Sequence, residues 1–235
     1  MSAQPPGGTV LRAVSSMATA PLLRALVSDY QRGGGQAVEL ISIGGVDALQ
    51  RVQNGEHFDL VVLASDAIER LFGSGRLLPG SSTELVRSSV AVAVPAGAPH
   101  PNIDSEQALR AAVLAAASIG YSTGPSGAGL LSLLRRWELG EQIRARLVQA
   151  RPGMPVGSLV AGGQVALGFQ QLSELQGLAG IDVLGELPAA CAIETIFSGA
   201  ICSVSTQPAA AGALLAYLHS SETAPIKRRH GMTPA

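Results

Sequence analysis

The chain has 235 residues, of which 47% are apolar and only 14% charged, with 28 glycines and a net charge of −1. Ordinary soluble domains carry roughly 25% charged residues, so this balance calls for a large interior and excludes a long disordered protein. Lys227 is the sole lysine and aromatics are few (four Phe, three Tyr, one Trp). Neither a polybasic face for nucleic acid or acidic membranes nor stacking platforms for bases therefore has a source.

Short β-rich runs alternate with stretches of helical period, the pattern of an α/β fold with mostly parallel sheets. Val10–Val14 reads as a strand, and Leu22, Leu23, Leu26, Val27 and Tyr30 share one face of the helix after it, which ends at Gly33-Gly34-Gly35. Val38–Ile43 and Leu60–Ala64 are the next strands, each followed by a helix carrying Val46, Leu49 and Val52 or Ile68, Leu71 and Phe72. Ser88–Val94 is a strand, and the Pro-, Gly- and Ala-rich stretch Pro95–Asn102 suits a crossing into a second lobe. A helix starting near Asp104 or Ser105 follows. Strands are then expected at Ile119–Tyr121, Leu147–Ala150 and Val165–Phe169, with helices at Gly127–Trp137 and Val156–Gly162. Thr195–Val204 is long enough to cross back, and Pro208 sits in the first turn of a last long helix.

Ala111–Leu134 and Thr195–Ser221 contain no Asp, Glu, Lys or Arg, yet Gly124-Pro125-Ser126-Gly127 and Thr206-Gln207-Pro208 interrupt them. The remaining apolar runs are too short for about 30 Å of hydrocarbon, and no membrane insertion is expected. Two lobes joined by two extended crossings describe a hinged clamshell: lobe 1 at 1–93 plus 199–235, lobe 2 at 94–198, a ligand cleft between them. The start, Met1 to Gly8, has neither a positive nor an apolar region of a secretory leader, so the chain as written is expected in the cytoplasm, and in the periplasm if a leader was removed.

In open α/β sheets ligands bind beyond the carboxyl ends of the strands. Those places hold Ser15-Ser16, Gly44-Gly45, Ser65-Asp66, Ser122 to Gly127 (with Ser126), Gly153 and Gln170-Gln171. Helix starts offer unpaired N–H groups and partial positive charge, so small polar residues at several of them point to a small anion held without Arg or Lys. Each also has a plainer reading: Ser16 as an N-cap, Gly44-Gly45 as a tight turn, Ser126-Gly127 as a loop and cap. Two amides directly after an apolar strand have no capping preference to explain them.

Catalytic signals are thinner. His57, His100, His219 and His230 lie in loops or at helix ends, away from a Ser-His-Asp arrangement. Walker A, GxGxxG and HExxH sequences are missing, and Cys191 and Cys202 form neither a CxxC pair nor part of a zinc ligand set, so no cofactor or metal is expected. Asp47, Asp66 and Glu174 near strand ends suit helix-start charges as well as a general base.

The run Ser15-Ser16-Met17-Ala18, then Ile43-Gly44-Gly45, Gln53-Asn54-Gly55-Glu56, Phe58-Asp59-Leu60-Val61 and Ala64-Ser65-Asp66, resembles the molybdate-binding protein family of ABC importers. The resemblance continues through Val90 to Pro95, Gly163 to Gly168 and Arg229 to Pro234, nearly the whole chain. It implies the two-lobed type II periplasmic-binding fold, an oxyanion or carboxylate held by hydroxyls and helix-start amides, and an ABC importer as partner if the protein is exported. Carried over by position, Ser16 matches the first binding serine, Ser65 the third loop and Ser126 the second-lobe loop. Two places depart. Gly45-Val46 stands where the family has a second binding serine, and Gln171 where molybdate binders have a tyrosine. Some relatives similar in fold are isomerases that move a double bond in small unsaturated tricarboxylates such as aconitate, which here would need a proton-transfer group, Asp66, Glu174 or Tyr121. The leading expectation is a small-anion binder; the alternative is a cytosolic isomerase of a small di- or tricarboxylate on the same scaffold.

Overall fold

The structure, a computed structural model, describes residues 10–235; the leader reading rests on Met1 to Gly8, outside the described residues. The chain divides into two compact units. One runs up to Leu85 and takes in Phe197–Lys227 and Pro234–Ala235, and the other comprises Val86–Ile196 and Arg228–Thr233.

The first unit opens with three βα steps: β1 (Leu11–Ser16), α1 (Ala20–Arg32), β2 (Val38–Ile43), α2 (Gly45–Gln53), β3 (Leu60–Ala64) and α3 (Ser65–Gly73). A long strand, β4 (Thr83–Pro95), then carries the chain into the second unit. There follow α4 (Glu106–Ala115), β5 (Ile119–Tyr121), α5 (Pro125–Arg136), α6 (Gly140–Ile143), β6 (Leu147–Gln149), α7 (Val156–Ala161), β7 (Leu167–Gln171), α8 (Leu172–Leu175) and β8 (Ile181–Glu186). The return strand β9 (Glu194–Ile201) leads to α9 (Pro208–His219), α10 (Ala224–Arg229) and the short β10 (Thr233–Pro234).

Each unit contains a run of parallel pairs, as alternating strands and helices require. In the first, β1 pairs in parallel with β2 and β3, and β9 runs antiparallel to β3. In the second, β5 pairs in parallel with β6 and β7, while β4 runs antiparallel to β7 and β8. The first core gathers Val14, Val52, Phe58, Val61, Leu63, Ile68 and Leu71, and the second gathers Val90, Val92, Leu130, Leu134, Trp137 and Phe169. The uncharged stretches resolve as elements of this core. Ala111–Leu134 spans α4, β5 and α5, and Thr195–Ser221 spans β9 and α9; no helix among the described residues is long and apolar enough to cross a membrane.

Several motif residues have structural tasks. Phe58 is fully buried with the guanidinium groups of Arg12 and Arg51 over its ring at 5.2 and 5.3 Å, and Arg51 is ion-paired to Glu56. The buried Asp59 carboxylate accepts from Arg12 N at 2.9 Å and Ser205 Oγ at 2.6 Å, tying the chain after β9 to the start of β1. Lys227 is buried in α10, and burial lowers its pKa.

Several strand expectations shift, β4 among them, which begins at Thr83 rather than Ser88. Val165 precedes β7 rather than beginning it, because its side chain packs with Val156, Leu159 and Val160 while pairing starts at Leu167. The strand consequently extends to Gln171. β8 has no counterpart among the expected elements: its residues are mostly half-exposed, and Gly185 at φ 135° accompanies a register shift against β4.

Candidate functional site

In the first unit the small polar residues cluster at the carboxyl ends of β1, β2 and β3. The parallel register places Ser15 beside Ser42 and Ser16 beside Ile43, just before Gly44-Gly45. Ser15 is fully buried, and its Oγ meets Ser42 Oγ at 2.9 Å. Ser16 is also buried, but its Oγ makes only a 3.4 Å contact with Thr19 Oγ1, whose own proton goes to Ser16 O at 3.2 Å. Ser16 occupies the position before a 3₁₀ turn, Met17–Thr19, without a side-chain capping bond, which corrects the N-cap reading. Its hydroxyl therefore keeps most of its hydrogen-bonding capacity.

Gly44 is the residue before α2, and its carbonyl accepts from Ala48 N at 2.8 Å. A Cβ on Gly45 would lie 3.7 Å from Ser16 Cβ, so the helix start and the serine are neighbours. Val46, standing where the resembled family has a serine, is 59% exposed. Ser65 begins α3, and its Oγ meets Ser198 Oγ of β9 at 2.7 Å. Asp66 points outward in an i,i+4 ion pair with Arg70.

In the second unit Ser122, directly after β5, anchors the start of α5. Its Oγ meets Ser126 Oγ at 2.8 Å and accepts from Gly124 N at 3.2 Å. Pro125 in the first turn supplies a preset φ. A Cβ on Gly127 would stand 1.9 Å from Ser122 O, so only glycine lets the helix start this close to the strand end. Gly153 is on an exposed turn at φ 77°, a conformation that favours glycine.

The two glutamines part company. The antiparallel register sets Gln171 opposite Val90 and Gln170 opposite Ala91. Directly opposed residues share a face, and Val90 belongs with Leu130 and Phe169 whereas Ala91 belongs with Leu175. Gln171 thus shares the α5 face with Tyr121, which pairs with Phe169 and packs on the same core. Gln170 lies on the other face, where its Oε1 accepts from Gly157 N of α7 at 3.1 Å and its side chain hydrogen-bonds the Glu174 carboxyl. Burial pushes that carboxyl up to about 7, with the Gln170 bond a smaller opposing influence. Gln171 is 1% exposed; Nε2 donates to Thr195 Oγ1 at 2.7 Å, while Oε1 is buried without a partner.

Ser42, Ser198 and Thr195 escaped the sequence reading. Thr195 and Ser198 are buried hydroxyls inside an apolar strand, and that interruption was the available signal.

The family model of the bacterial extracellular solute-binding proteins aligns with residues 11–233. The chain belongs to that family. Among curated proteins, this solute-binding protein is similar to the aconitate isomerase of a Pseudomonas species, 34% identical over 240 residues that cover 100% of this chain and 90% of the relative. Among solved structures it resembles the periplasmic molybdate-binding protein of Azotobacter vinelandii, with a TM-score of 0.79, 22% identity, and coverage of 95% of this chain and 98% of that one. It also resembles the sulfate-binding protein of Mycobacterium tuberculosis, with a TM-score of 0.79, 17% identity, and coverage of 97% and 88%. With these two solved structures the chain shares the α/β type II periplasmic-binding fold.

Proposed function

We propose that this solute-binding protein takes a small unsaturated tricarboxylate and isomerises it as an aconitate isomerase does, by moving a double bond. The observation that carries the reading is the 34% identity to aconitate isomerase sustained along the entire chain. Ser16, Ser65 and the Gly44-Gly45 helix start on one unit, and Ser126, Gly127 and Gln171 on the other, are the proposed carboxylate-binding groups. They bind by hydrogen bonds from hydroxyls and amides, which suits several ionised carboxylates without a matching set of arginines.

Of the three proton-transfer candidates, Glu174, in α8 directly after Gln171 and bonded to Gln170 on the other face of β7, is the one whose titration suits the task. Asp66 is 60% exposed and held by Arg70; Tyr121 is half-buried and packs its ring on the α5 core. A carboxyl titrating at about 7 is divided between both forms near neutral pH, so it can accept and return a proton in one cycle. In that cycle Glu174 removes a proton from the substrate methylene carbon, and the electron pair spreads over the allylic unit and its carboxylate. The same carboxyl then returns the proton to the far carbon of that unit, leaving the double bond displaced. Donors to the substrate carboxylates stabilise the charge that develops.

Family membership favours a second reading, capture of the same anion for an importer without chemistry. Thermal shift tests the shared binding claim: trans-aconitate and cis-aconitate should raise the melting temperature, whereas a response to molybdate, tungstate or sulfate alone would refute the tricarboxylate. Ser16→Ala and Gln171→Ala should each weaken trans-aconitate binding about tenfold while changing ligand-free stability by no more than about 1 to 2 kcal/mol. Unchanged affinity in both variants would remove these residues from the site.

A further inference from the structure

Gln171 and Thr195 form a buried pair in which two hydrogen-bonding capacities are unused at once. Gln171 Nε2 donates to Thr195 Oγ1, Gln171 Oε1 has no partner, and among the described residues the Thr195 hydroxyl donates to nothing. Both residues are at least nine-tenths buried, and an unmade bond at such a site is costly. A half-turn of the amide exchanges its oxygen and nitrogen within nearly the same shape. Thr195 Oγ1 would then donate to Gln171 Oε1, and the freed NH2 would need an acceptor from outside the pair. An incoming carboxylate oxygen is such an acceptor, and β7 ends at Gln171 on the face it shares with Phe169, Tyr121 and the α5 core.

We infer that Thr195 is a positioning residue, whose hydroxyl lets the Gln171 amide turn over and donate to an acceptor oxygen of the bound anion. A threonine or serine can serve because a hydroxyl both donates and accepts; valine, nearly identical in shape, can do neither. The inference rests on the anion reading of Gln171 given above, and it adds the group that sets which end of the amide the ligand meets.

The test is calorimetric titration of the full chain with trans-aconitate, and with molybdate as a second probe, for wild type, Thr195→Val, Thr195→Ser, Gln171→Leu and the Gln171→Leu/Thr195→Val pair. Thr195→Val should weaken binding about tenfold, the scale of one lost hydrogen bond to a charged group, and Thr195→Ser by less than about threefold. In the Gln171→Leu background the valine should add nothing. The Gln171 side-chain amide resonances, assigned by their disappearance in Gln171→Leu, should shift on ligand addition in wild type and Thr195→Ser but not in Thr195→Val. Full affinity in Thr195→Val, equal losses in both Thr195 variants, or a valine effect that persists without Gln171 would overturn the inference. Binding of molybdate but not trans-aconitate would sink the tricarboxylate reading alone, and the same variants titrated with molybdate then decide the role of Thr195. Silence of the wild type toward both anions overturns both.

Discussion

Glu174→Gln should lower turnover of trans-aconitate by about 10²- to 10⁴-fold, the range a positioned general acid–base group contributes, while trans-aconitate affinity stays within about threefold. Glutamine keeps the shape and the hydrogen bond with Gln170, so the change removes the proton-carrying function and little else. In the wild type, kcat/KM should fall on the acid side with an apparent pKa near 7, because the carboxyl must be ionised to take the proton. The variant also has a stability signature. The folded-state pKa is raised from the ordinary 4.5 to about 7, so the fold favours the protonated form. Its contribution is fully present below pH 4.5 and lost as pH rises through about 7. At about 1.4 kcal/mol per pH unit, ligand-free Glu174→Gln should match the wild type near pH 4.5 and exceed it by up to about 3 kcal/mol at pH 8. A gap that is constant with pH, or turnover within tenfold of wild type, would remove Glu174 from the role assigned to it.

Gly127→Ala should be the most damaging small substitution in the second unit. The added methyl would stand 1.9 Å from Ser122 O and 2.8 Å from Ser122 C, both backbone atoms that no rotamer change can clear. Overpacking costs about 1–3 kcal/mol when side chains can yield, so about 3 kcal/mol is expected here. Relief requires the start of α5 to move away from β5, which separates the Ser122–Ser126 hydroxyl pair and takes trans-aconitate binding with it. Urea denaturation reads the first effect and calorimetry the second. A midpoint within error of the wild type would show that α5 does not start as close to Ser122 as described. Gly124→Ala is the control: its added carbon would lie 3.7 Å from Ser122 Oγ, an ordinary contact.

Much of this architecture was legible because apolar runs and helical spacing record burial directly. Val38–Ile43, Leu60–Ala64 and Ile119–Tyr121 are strands as read, and the helix expected near Asp104 or Ser105 starts at Glu106 with Ser105 Oγ accepting from Ala108 N at 3.1 Å. Apolar content reports burial and not pairing, which is why Val165 was placed inside β7 and why half-exposed β8 was passed over. The displaced strand end had a consequence for the site. Once β7 reaches Gln171, alternation sends the two amides to opposite faces, and a pair that read as one ligand-binding unit separates. Gln170 is taken up by Gly157 N and the Glu174 carboxyl, and of the two amides only that of Gln171 keeps an atom unpartnered among the described residues. Ser16 and Ser126-Gly127 were read as possible caps, yet Ser16 makes no capping bond and Gly124 holds the position before α5. Ser198 lies far from Ser65 in sequence, and the antiparallel register of β9 on β3 brings them together, while Thr195 meets Gln171 across β4, the strand between β9 and β7.

Chemistry on this solute-binding scaffold is read by incubating trans-aconitate with the full chain at pH 7 and following ultraviolet absorbance. A drift to the cis–trans equilibrium is expected, reached from either isomer and slowed in proportion by Glu174→Gln. A flat trace from both isomers, at protein concentrations where calorimetry shows the ligand bound, would contradict it and leave a binding protein.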